Sequence, residues 1–135
     1  EMRKREIDRL VVKWRNRWWL NDWLITTELH DFSEDDADGK LTTTASVEAL
    51  SDYRKATVFI SKKSFEAISE KGRNRTVCHE MAHVALSPAN NFIDKLIEAL
   101  TSEKREGYKN WWNYTYEQLA EHFSNVMLDA YKELK

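Results

Sequence analysis

The strongest constraint on this chain is a stretch in which two imidazoles and a carboxylate sit among apolar side chains, with nothing to break a helix. Residues 76–86 read Thr76-Val77-Cys78-His79-Glu80-Met81-Ala82-His83-Val84-Ala85-Leu86. On an α-helix, His79 and His83 share one face a turn apart. Val77, Met81 and Val84 lie opposite, and Cys78, Ala82 and Ala85 fill the flank between. Both sides are therefore expected to be buried, with Ser87-Pro88 ending the helix. A solvated surface helix would tolerate the three polar heads, but a buried one has to compensate them. Two imidazoles at this spacing can grip one divalent ion, and Zn²⁺ is the usual one. Glu80 lies about 100° round the helix, away from the ion itself but within reach of a water beside it.

The rest of the chain bounds what such a helix can belong to. With 135 residues, it fits one domain, 1–135, with a modest core. A hydrophobic content of 41% against 33% charged points to a globular chain. The net charge of −2 gives no whole-chain electrostatic case for nucleic acid. The single cysteine, Cys78, excludes an internal disulfide and reads as a small buried hydrophobe. No apolar run approaches the roughly 20 residues of a membrane span, and no signal-peptide pattern opens the sequence, so a cytoplasmic location is expected. Residues 4–20 have the spacing of an amphipathic helix, with Ile7, Leu10, Val11, Trp14 and Trp18 apolar. Its other face carries Arg3, Lys4, Arg5, Arg9, Lys13, Arg15 and Arg17, diluted by Glu6 and Asp8. A solvated face is the expected role, and nucleic-acid contact the rival one. Trp14, Trp18, Trp19 and Trp23 are expected to cluster in the core.

Three runs read as strands: 24–29, 43–50 and 55–61, the last containing Thr57-Val58-Phe59-Ile60. Ser51-Asp52-Tyr53-Arg54 is the expected turn between the second and third, and Asp38-Gly39 between the first and second. Glu34 to Gly39 partly mimics a calcium loop, but Ala45 stands where the bidentate Glu belongs, so a solvated hairpin loop is preferred. A short helix is expected over 64–70, ended by Gly72, and another over 91–100 after the motif helix. A polar stretch, 101–109, and a connector containing Trp111-Trp112 lead to a last helix. There Thr115 and Gln118 have capping-box spacing. Tyr116, Leu119, Ala120, Phe123, Val126, Met127, Ala130 and Leu134 then trace its apolar stripe. The expected fold class is α+β: an N-terminal helix, a three-stranded, mainly antiparallel sheet, the motif helix and a C-terminal helix.

A zinc site needs three or four protein ligands, and a catalytic one keeps a position for water. The candidates beyond His79 and His83 are Glu117, Glu121, His30 and His122. Glu117 falls at the border of the C-terminal helix's apolar stripe, and Glu121 further toward solvent on the same side. This suggests Glu117 on the metal, with Glu121 one step out orienting a His ring or standing as the alternative ligand.

In His79-Glu80-x-x-His83, with Glu117 and an acid four residues on at Glu121, the chain resembles the zincin metallopeptidases. More narrowly it resembles the gluzincin branch, in which a Glu from a later helix completes the site. The metzincin pattern is excluded, because Leu86 and Ala89 stand where it has Gly and His. The element order is similar to that of the single-domain minigluzincins. Radiation-response regulators and proteases that cleave immunity repressors, with the same HExxH…Glu logic, are further relatives. The resemblance implies a zincin-like domain in which His79, His83 and Glu117 hold Zn²⁺ and Glu80 is the general base of peptide-bond hydrolysis. The implied substrate is a peptide or protein, while the net charge argues against nucleic acid and the hydropathy against a membrane as partner. Tyr108, Tyr114, Tyr116 and His122 are available to stabilise the oxyanion. The alternative is a latent or non-catalytic zinc-binding module, contacting nucleic acid or a DNA-binding partner through the basic N-terminal helix.

Overall fold

The computed structural model describes residues 2–30 and 44–132. The element order is α1 (Lys4–Arg17), β1 (Leu24–His30), β2 (Ala45–Leu50), β3 (Lys55–Ser61), α2 (Lys62–Ala67), α3 (Glu70–Glu98) and α4 (Ser102–Ala130). The class is α+β, as the periodicities predict. The Asp38-Gly39 turn and the calcium-like loop lie outside the described residues.

α1 is amphipathic as expected, burying Ile7, Val11 and Trp14. Its first turn is closed by Glu6, whose carboxylate accepts the Arg3 backbone N–H at 2.9 Å. The apolar face settles on the sheet and α3, where Trp14 is fully buried. The Trp14 indole N–H donates to Asn74 Oδ1 at 2.9 Å, Lys13 Nζ donates to the same oxygen at 2.8 Å, and Asn74 Nδ2 donates to Glu70 O at 3.1 Å. A buried polar hub thus ties the N-terminal helix to the first turn of α3. Of the expected tryptophan cluster, Trp23 joins the core and Trp18 packs against it. Trp19 does not: it is 84% exposed, on a left-handed backbone with φ 58° just past the end of α1. There the chain reverses toward β1 and turns the side chain outward.

The sheet is mixed rather than mainly antiparallel. Its order is β1-β3-β2, with β1 parallel and β2 antiparallel to β3. A 3-10 turn at Ser51–Tyr53 and a left-handed Arg54 (φ 50°) join β2 to β3 where the turn is predicted. β1 and β2, expected as hairpin partners, are not neighbours. β3 takes the centre because its run is the most continuously apolar, and it buries Ala56, Val58, Ile60 and Ser61. Alternation within a strand reports which face is buried, not which strand lies beside it.

The two long helices overturn four boundary expectations. Gly72 does not end the short helix. It lies in the first turn of α3, where its N–H donates to the Ser69 side chain at 3.1 Å. Pro88 does not end the motif helix: α3 runs 29 residues through it, absorbing the helix expected over 91–100. The polar stretch from Ser102 and the Trp111-Trp112 connector are helical too, as the first turns of α4, exposed as far as Trp111 and buried at Trp112. Thr115 is therefore no cap, and its hydroxyl donates back to Trp111 O at 2.9 Å. Pro88 within α3 and Gly107 within α4 are both tolerated, and pairing α3 with α4 as an antiparallel hairpin decides the length. The buried face of α4 is also rotated from the expected stripe: Trp112, Ala120, Ser124 and Leu128 are buried, whereas Phe123 and Val126 are 40% and 50% exposed. The core draws on α1, all three strands, α2, α3 and α4, with Phe65, Val77, Met81 and Val84 wholly buried.

Candidate metal centre and cleft

α3 packs across β2 and α4, so the motif segment is held between a sheet edge and a helix. Val77, Cys78, Met81, Ala82 and Val84 are wholly buried, as the expected two-sided burial requires. The Cys78 thiol lies 3.5 Å from Ser124 O, to which it donates. Anchored this way, the helix turns His79 and His83 toward α4, with their Nε2 atoms 3.1 Å apart.

Glu117 meets them from α4. Its carboxylate oxygens lie 3.4 Å from His79 Nε2 and 3.0 Å from His83 Nε2. His79, His83 and Glu117 are the group among the described residues that could hold a metal ion, with donor atoms all within 4.8 Å of one another. Glu121 stands behind. Its Oε2 is 3.2 Å from His79 Nδ1 and its Oε1 is 3.9 Å from the Arg75 guanidinium. The buried His79 Nδ1 is not aligned with any hydrogen-bond partner, so the Glu121 contact is one of proximity and charge. Of the other ligand candidates, His30 lies on β1 beside Glu28 and Phe59, and His122 packs against Phe123 on the exposed side of α4. Neither belongs to the group.

Glu80 sits beside the pair, only 7% exposed. Burial, and then the Glu117 carboxylate, push its carboxyl up to about 8. Burial lowers the His83 pKa, with Glu117 opposing and His79 reinforcing the shift. Two imidazoles and the Glu117 carboxylate converge, the Glu80 carboxyl lines the same cleft, and Glu80 and His83 are both driven toward their neutral forms. A cation among them would reverse the penalty on the carboxylates.

The group opens into a cleft of about 400 Å³. β2 forms one wall with Ala45, Ser46, Val47 and Ala49, α3 adds Ser87, Asn90 and Asn91 beyond the motif, and α4 adds Tyr116. Of the tyrosines considered for oxyanion stabilisation, Tyr108 and Tyr114 are exposed elsewhere on α4 and only Tyr116 lines the cleft. Its hydroxyl already donates to His83 O at 2.9 Å. Burial, with Glu117, Glu80 and Asp94, pushes this phenol up to about 12, so it remains a donor at neutral pH. Sequence reasoning missed the Ser87-Asn90-Asn91 wall, because Pro88 reads as a stop. The signal available was helical spacing: Ser87, Asn90 and Asn91 lie four, seven and eight residues beyond His83, on its face of a continuous helix. No helix among the described residues is long and apolar enough to cross a membrane. Comparisons with protein-family models, with curated proteins and with solved structures found no match to this chain.

Proposed function

We propose that this chain is a zinc-dependent peptide hydrolase of the gluzincin kind, with His79, His83 and Glu117 as ligands and Glu80 as general base. One observation carries the reading. Two imidazole nitrogens and a carboxylate converge at 3.0–3.4 Å, and a buried carboxyl stands beside them at the head of a cleft. A tetrahedral zinc site with ligands about 2.0–2.1 Å from the metal has edges of about 3.4 Å, so the spacing fits the ion. Three protein donors also leave the fourth position that catalytic zinc requires.

Zinc held there supplies Lewis acidity, lowering the pKa of a water from 15.7 toward about 7 and polarising a carbonyl. The chain's own contribution is proton handling and placement. Glu80 accepts the water proton and delivers it to the leaving amine, and its burial keeps bulk water from competing for that proton. Glu121, beside His79 Nδ1, favours the tautomer that leaves Nε2 free to ligate. Among the described residues β2 is an edge strand that lines the cleft, so an extended peptide can pair along it with a carbonyl beside the His79, His83 and Glu117 group.

Metal analysis of untagged protein should give about one zinc per chain. Glu80→Gln should retain that zinc and lose turnover of casein or a peptide library. A wild-type chain that binds zinc but cleaves nothing in such a library would favour a binding module instead. Equal cleavage by wild type and Glu80→Gln would remove Glu80 from the mechanism.

A further inference from the structure

Pro88 lies inside α3, one turn beyond His83. Proline has no N–H, so the carbonyl four residues earlier, that of the wholly buried Val84, loses its helical donor. The neighbouring Ser87, itself 4% exposed, replaces it: Ser87 Oγ donates to Val84 O at 2.7 Å. The adjacent His83 carbonyl receives a second donor from outside the helix, the Tyr116 hydroxyl at 2.9 Å. Two hydroxyls thus serve the two backbone carbonyls that follow the second imidazole.

Tyr116 is itself held firmly. Its ring meets the His83 ring edge-on, with centroids 4.8 Å apart, and stacks on Trp112 at 5.6 Å with a 15° interplanar angle. The Trp112 indole N–H donates to Asn90 Oδ1 at 2.8 Å. Asn90 follows Pro88 by two residues and His83 precedes it by five, so Trp112 and Tyr116, one turn apart on α4, clamp α3 on both sides of the proline. The next residue on α4 is Glu117. Its side chain is 63% exposed and has little packing to fix it, so its position is inherited from the backbone that Tyr116 anchors. A ligand set tolerates little displacement.

We propose that Tyr116 and Ser87 are positioning residues for the metal centre. They stabilise the carbonyls around the Pro88 break and hold α4 in the register that brings Glu117 to His79 and His83. This rests on the metal-binding reading above.

The test is zinc affinity, measured by competition with a chromophoric chelator, together with the visible absorption of the cobalt(II)-loaded protein as a report on ligand geometry. Tyr116→Phe keeps the ring contacts and removes the donor. It should weaken zinc by about tenfold and alter the cobalt bands. Ser87→Ala should also weaken zinc, and Ser87→Thr, which keeps a hydroxyl, should restore it. Combined with Pro88→Ala, Ser87→Ala should have no further effect, because the N–H of residue 88 then serves Val84 O. If wild type binds zinc, and Tyr116→Phe and Ser87→Ala bind it within twofold with unchanged cobalt spectra, the positioning role is overturned while the metal site stands. Should the wild-type chain take up no zinc, the metal reading itself fails. If Tyr116→Phe does not fold, the Ser87 series with and without Pro88 decides.

Discussion

Replacing Glu80 by Gln in chelator-treated protein should remove a pH-dependent instability built into α3. Glu80 is 7% exposed, and its carboxyl is raised from 4.5 to about 8 by burial first and Glu117 second. A carboxyl raised on folding holds its proton more tightly in the folded chain than in the unfolded one. Its contribution is complete below about 4.5 and is lost as pH rises toward and through 8. The limiting slope is about −1.4 kcal/mol per pH unit, and the full rise bounds the total at about 5 kcal/mol. His83 acts with the opposite sign. Its pKa is lowered from 6.5, so it costs stability as pH falls below that value and is nearly flat above about 7. The window from about pH 7 to 8 therefore isolates Glu80, and there the wild type should lose about 1 kcal/mol relative to Glu80→Gln. Urea denaturation at three pH values across that window, with chelator present, measures the difference directly. Parallel stability curves for the two proteins would refute the reasoning, because they would mean that the buried carboxyl titrates no differently in the folded chain. Saturating zinc supplies a second arm. A divalent cation pulls the Glu80 pKa down, so the slope difference should shrink.

Zinc itself should stabilise the fold by mass action, by about 2.7 kcal/mol at a free concentration one hundred times Kd; thermal melts of wild type and Glu117→Ala at matched free zinc check this, with the variant keeping most of its metal-free midpoint and losing most of the shift. Asn74→Ala deletes the acceptor of the buried Trp14 indole N–H and should cost about 2–3 kcal/mol by chemical denaturation; a loss below 0.5 kcal/mol would show that the hub carries little energy. Trp14→Ala should cost about 3–5 kcal/mol. Trp19→Ser, at a residue 84% exposed, should stay within about 0.5 kcal/mol. A large Trp19 effect in the same denaturation series would contradict its outward placement.

The elements were legible wherever a local rule decides them. α1, the three strands and the Ser51–Arg54 turn follow from periodicity and turn chemistry, and each lies within a few residues of its expected place. The errors arose where a local signal met a stronger tertiary one. Pro88 reads as a stop, yet Ser87 serves the carbonyl it orphans and α4 packs alongside. Thr115 and Gln118 read as a cap, but α4 already runs through them, and Gln118 Nε2 bonds Tyr114 instead. Trp19 reads as core because its neighbours are aromatic, but one left-handed residue turns it to solvent.

What the sequence determined by itself is the relation among His79, Glu80 and His83. Their spacing along one helix is a property of backbone geometry and needs no partner. Only the tertiary structure decided that Glu117 closes on both imidazoles, that Glu121 stands behind His79, and that β2 rather than β1 lines the cleft. Periodicity fixes which side chains share a face, whereas the facing of α4 against α3, and of each strand against the next, depends on apolar burial summed over the whole molecule.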